Sequence, residues 1–104
     1  MNGYFPSNTV VVVGDPLVIH CKATSNETSI LWKFGKLGGV GEEPISNKTW
    51  IQKPGFSVNS TEDGQFSLAK ENTQLNDSGT YKCLGLQTGE SPQIAVAQVA
   101  VLRK

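Results

Sequence analysis

Apolar residues in this chain recur at every second position, in short runs broken by turn-forming clusters. Leu17, Ile19, Cys21 and Ala23 fall on one side of the run 17–23, and Ile30 and Trp32 share a side of 29–34. Tyr81 and Cys83 do the same in 80–84, and Ala97, Val99 and Val101 in 96–102. A period of two belongs to an extended strand with one buried face. Between the runs lie Gly14-Asp15-Pro16, Ser25-Asn26-Glu27, Gly38-Gly39-Val40-Gly41, Glu62-Asp63-Gly64 and Asn76-Asp77-Ser78-Gly79. Short strands punctuated in this way predict an all-β sandwich or barrel with no helix longer than a turn. The stretch 36–55 is the least regular, because Pro44 and Pro54 cannot donate to a central ladder. Short edge strands and mobile loops are expected there.

The chain has 104 residues, enough for one small domain spanning 1–104. Nine basic residues balance nine acidic ones. With no basic stripe, nothing in the charge argues for nucleic acid or an anionic membrane as partner. A neutral domain meets its partner by shape and apolar contact more than by long-range steering. The longest apolar run, Val10-Val11-Val12-Val13, falls far short of the roughly 18 residues that span a bilayer. Direct membrane insertion by this fragment is therefore not expected. Met1 reads as an expression start where a secretory leader would have ended, and any membrane anchor would lie beyond Lys104.

Cys21 and Cys83 admit two readings, buried thiols of a cytosolic protein or one bridge of a secreted one. Four N-x-[ST] triplets, at Asn26, Asn47, Asn59 and Asn76, mark candidate glycosylation sites and favour the extracellular reading. A bridge here would close a loop of about sixty residues and contribute on the order of 4 kcal/mol.

Trp32 follows Cys21 by 11 residues, and Cys83 follows Trp32 by 51. Asp77-Ser78-Gly79-Thr80-Tyr81-Lys82-Cys83 matches D-x-G-x-Y-x-C at every fixed position. This constellation resembles the immunoglobulin superfamily. The resemblance implies a two-sheet antiparallel immunoglobulin β-sandwich with Greek-key topology, stapled by Cys21–Cys83 with Trp32 packed on the bridge. It also implies a tyrosine corner, the Tyr81 hydroxyl bonding backbone a few residues upstream. Gly79 would supply backbone freedom at the turn before that strand. The long separation of the cysteines leaves room for extra edge strands, which is similar to the variable (V-set) type. Two departures stand out. Family members often carry an Arg just before Phe56 that pairs with the motif Asp; this chain has Gly55 there, with Lys53 the nearest cation. Lys70 occupies a position that normally faces the core, so a bulge, a snorkelling stem or an acidic partner is expected. The last strand also lacks the G-x-G bulge of antigen-receptor chains, which makes the chain look more similar to membrane-distal domains of adhesion molecules and immune co-receptors.

Catalysis finds little to work with. His20 is the single histidine, and it falls on the strand face opposite Cys21. Neither a metal-ligand set nor a calcium loop nor a phosphate loop can be read, so no cofactor is expected. Binding has better candidates. In variable-type sandwiches the sheet of strands G, F, C and C′ commonly meets the partner. Alternation places Leu31, Lys33, Lys82, Leu84, Leu86, Val96, Gln98 and Ala100 on its outer side, where the leucines would form an apolar patch. Trp50 is a further aromatic candidate, and none of the four sequons lies on strands C or F. The expected function is extracellular recognition, as a cell-surface adhesion or immune receptor domain binding another immunoglobulin-like protein, self or non-self. A spacer module in a tandem array, or a secreted soluble immune effector, is the alternative.

Overall fold

A computed structural model describes residues 8–21, 29–36, 39, 41–46, 51, 53–60, 66–86 and 93–104. Among them the strands are β1 (Thr9–Val12), β2 (Leu17–Ile19), β3 (Ser29–Lys36), β4 (Glu43–Ser46), β5 (Phe56–Ser60), β6 (Phe66–Lys70), β7 (Gly79–Leu86) and β8 (Gln93–Leu102). One turn of 3-10 helix, Leu75–Asp77, precedes β7. The larger sheet runs β1-β8-β7-β3-β4 and the smaller β2-β6-β5, so the chain changes sheet repeatedly along a Greek-key route. All ladders are antiparallel except β1 with β8, which is parallel from Thr9↔Val99 to Val12↔Leu102. Asp15 N–H then donates to Val12 O at 2.9 Å, closing the turn that carries the chain from β1 into the smaller sheet.

Alternation sorts the side chains as the period of two predicts. Ile30, Trp32 and Phe34 of β3, Tyr81 and Cys83 of β7, and Ala95, Ala97, Val99 and Val101 of β8 are buried. Leu17 and Ile19 of β2, Cys21, and Phe66 and Leu68 of β6 meet them from the smaller sheet. The regular part of β2 ends at Ile19, short of the run read from the sequence. Hydrogen bonding continues beyond it, since Phe66 N–H donates to Cys21 O at 2.6 Å. Cys21 and Cys83 are bridged, with a Cα–Cα distance of 6.6 Å, which ties β7 to the segment leaving β2 across the core. Trp32 lies directly opposite Cys83 in the β3–β7 ladder. Its indole is wholly buried, and Nε1 has no hydrogen-bond partner, so the side chain serves packing. In the irregular stretch, β4 is a short edge strand that carries Pro44, where a missing donor is tolerated.

The tyrosine corner forms: Tyr81 O–H donates to Asp77 O at 2.7 Å. Phe34 and Phe56 flank the ring at centroid distances of 4.8 and 6.1 Å in tilted geometry, which suits the aromatic quadrupoles. Burial first, then the charges of Asp77 and Glu43, pushes the phenol well above its ordinary value of 10.0.

Of the three accommodations open to Lys70, the structure uses the acidic partner. Its Nζ donates to both carboxylate oxygens of Asp77, at 2.9 and 2.8 Å. Asp77 Oδ2 also accepts the Gln74 N–H at 2.7 Å. Lys70 lies 5.2 Å over the Phe56 ring, a cation–π contact. Lys53 does not take that place; it pairs with Glu43 at 2.5 Å and makes a 5.3 Å cation–π contact with the Phe34 ring. The motif Asp thus receives its cation from β6. Gly55, where relatives often carry Arg, has φ of 90°, and a Cβ there would sit 3.2 Å from Lys70 Cε. The positive φ disfavours a side chain there, and a Cβ would require the lysine stem to shift.

Two predictions follow from this interior. Replacing Lys70 by Met leaves Asp77, whose side chain is only 3% exposed, as an uncompensated buried charge. Urea titration should show a loss of about 3 kcal/mol. For Tyr81, the unfolded phenol ionises near about pH 10 while the folded one keeps its proton. Stability from this group is therefore complete below about pH 10 and falls as pH rises beyond it. Tyr81→Phe should remove that part of the alkaline decline and cost about 1 kcal/mol at neutral pH, measured by titrations across the range.

Candidate functional site

The same alternation that fills the core turns every second residue of β3, β7 and β8 outward. Leu31 and Lys33 of β3, and Lys82 and Leu84 of β7, are half-buried on the outer face of the larger sheet. Val96, Gln98 and Ala100 of β8 are exposed there. Leu86 belongs to β7, but its side chain lies outside the described residues, as does Trp50 altogether. Asn26 and Asn47 also lie outside them. Asn59, exposed on β5, and Asn76, exposed in the 3-10 turn, are off the β3 and β7 strands.

Register turns these positions into rows across the sheet. Leu31 pairs with Leu84, and Leu84 pairs with Ile94, giving an apolar row over three adjacent strands. Ile94 is 53% exposed. It is absent from the candidates read off the sequence, although it shares the parity of Val96 and Gln98. The alternation read from the sequence begins the strand at Val96, whereas it starts at Gln93. The next row holds Val96, Lys82, Lys33 and Pro44. Beyond it Thr80 Oγ1 donates to Gln98 Oε1 at 3.0 Å. At the far corner Val10, 65% exposed, lies beside Ala100.

The charged row includes an ion pair that spans β3. Gly35 on β3 has no side chain, and Glu42 Cγ passes 3.9 Å from where its Cβ would be. The Glu42 carboxylate reaches across β3 to Lys82 on β7, at 2.6 Å. At about one-third exposure on each partner, this pair orients the two chains more than it stabilises the fold.

No group of three or more potential metal ligands occurs among the described residues. His20, exposed next to β2, shares a 2.8 Å hydrogen bond between Nδ1 and Ser67 Oγ on the smaller sheet, away from this face. Among the described residues, no helix is long and apolar enough to cross a membrane. The β7–β8 ladder runs in unbroken register from Gly79↔Val99 to Gly85↔Gln93, so the last strand carries no bulge over that span.

Comparison with known proteins places this geometry. The chain is 31% identical over 85 residues to human T cell receptor beta variable 2, covering 75% of this chain and 74% of that protein. It is similar in structure to the titin M3 domain (TM-score 0.74, 17% identity, 95% of this chain and 92% of that one). The IG1 domain of the ZIG-8 homodimer matches with TM-score 0.70 and 21% identity, over 100% of this chain and 87% of the other. At such identities the structural likeness shows the fold alone. The immunoglobulin V-set domain model matches residues 4–102. V-set domains are non-enzymatic recognition modules, typically extracellular, and this chain, with its bridged sandwich and tyrosine corner, belongs to the immunoglobulin V-set family.

Proposed function

We propose that residues 1–104 form one extracellular recognition domain of a cell-surface adhesion or immune receptor, which binds another immunoglobulin-like protein through the outer face of β8, β7, β3 and β4. It acts by association alone, with no bond made or broken. The observation that carries this reading is the row Ile94–Leu84–Leu31, three apolar side chains side by side on a sheet face whose inner side is already fully used by the core. Apolar surface gathered in this way, with polar groups from Lys33, Lys82, Glu42 and Gln98 in the adjoining rows, suits an interface. Family membership supports the same use, as does the homodimer formed by the similar IG1 domain of ZIG-8. The accessible sequons Asn59 and Asn76 leave β3 and β7 clear of attached sugar.

The test is a binding screen of the multimerised domain against a panel of immunoglobulin-like ectodomains, itself included. Leu84→Asp and Ile94→Asp should each weaken every interaction that the wild type makes by about tenfold or more. Val18→Asp, on the exposed side of the smaller sheet, should leave them intact. Binding that survives both outer-face variants, or no binding to any member, would sink the proposal; the latter result is what a spacer module would give.

A further inference from the structure

Beside its apolar row, the outer face carries a charge that no carboxylate among the described residues balances. Lys33 and Lys82 sit directly opposite each other in the β3–β7 ladder, a like-charge juxtaposition that is unfavourable unless relieved. Lys82 is relieved by Glu42 at 2.6 Å. Lys33 has no carboxylate within ion-pair reach among the described residues. The acidic residues nearest the face are already engaged, Glu42 with Lys82 and Glu43 with Lys53. Asp77 is held by Lys70 in the interior. The described part of the face therefore offers one uncommitted cation and no uncommitted carboxylate, in the row next to its apolar strip.

Resting on the proposed binding face, we infer that its occupant is a different protein, one that sets a carboxylate against Lys33 while covering Ile94, Leu84 and Leu31. Charge complementarity singles out this occupant over a second copy. β3 and β7 lie at the middle of the sheet, and a two-fold pairing of identical faces centred there brings Lys33 towards the lysines of its copy. Neither copy has a free carboxylate in the described rows to offset them. Such repulsion at an otherwise apolar contact discriminates between partners, because the copy is rejected while a surface of complementary sign is accepted. The row order adds register: a partner seated on the apolar strip has its acidic group one row away, on the side of Val96 and Pro44.

The chain can supply its own probe. Lys33→Glu reverses the sign at one position and leaves the core and the apolar row untouched, so it presents the complementary surface to the wild type. Sedimentation velocity over a concentration series would compare the wild type alone, the variant alone and their equimolar mixture. The mixture should associate about tenfold more tightly than either component with itself, and that gain should shrink at about 0.5 M salt. A wild type that self-associates as tightly as the mixture, or a mixture with no gain, overturns the inference. Introducing Leu84→Asp into both components separates the two claims. If the gain persists in that background, the face reading is what fails. If Leu84→Asp abolishes equal self- and mixed association, the face stands and the acidic-partner inference falls.

Discussion

The Cys21–Cys83 bridge joins the two sheets through the middle of their shared interior, and the remaining packing is arranged around that tie. Trp32 lies opposite Cys83, Tyr81 two residues before it, and Leu17 and Ile19 approach from the smaller sheet. With the inner faces committed to one another, the period of two leaves the alternate residues of β3, β7 and β8 nowhere to go but outward. The candidate face is thus a consequence of how the core is closed. Its rows are in register because the ladders that carry the core residues carry these too.

A second interaction protects that arrangement at its lower end. The motif Asp77 accepts a backbone N–H, presents its carbonyl to Tyr81 and needs a cation beside its carboxylate. This chain meets the need from β6, through Lys70, with Phe56 beneath the ammonium and Gly55 leaving room for its stem. The position where relatives often carry Arg has instead become the tight turn into β5. The cation beside Asp77 thus comes from β6. On the outer face charge is handled differently: Glu42 crosses β3 over Gly35 to reach Lys82, and half-buried Lys33 has no carboxylate within ion-pair reach among the described residues.

Much of this was legible in the sequence because it rests on local rules. Alternation sorted Trp32, Tyr81 and Cys83 inward and Leu31, Lys33, Lys82 and Leu84 outward, and the D-x-G-x-Y-x-C run pointed to the corner that Tyr81 and Asp77 build. What escaped depends on contacts between distant segments. That Lys70 rather than Lys53 reaches Asp77 is set by how β5 and β6 pair, and periodicity carries no information on that choice. The Glu42–Lys82 pair requires knowing that Gly35 lies between them in the sheet. Ile94 is a simpler case: the alternation is legible only from Val96 onward, although the parity of Val96 already points to Ile94.

The dependence of the whole on the inter-sheet tie is measured most directly by removing it. Equilibrium unfolding in urea of the Cys21→Ala, Cys83→Ala double variant, against the bridged protein, reads the contribution of a crosslink spanning 62 residues. A drop of about 4 kcal/mol in unfolding free energy is the predicted result. A change below about 1 kcal/mol, with the same cooperativity, would contradict the account, because the sheets would then be held together by packing that needs no staple.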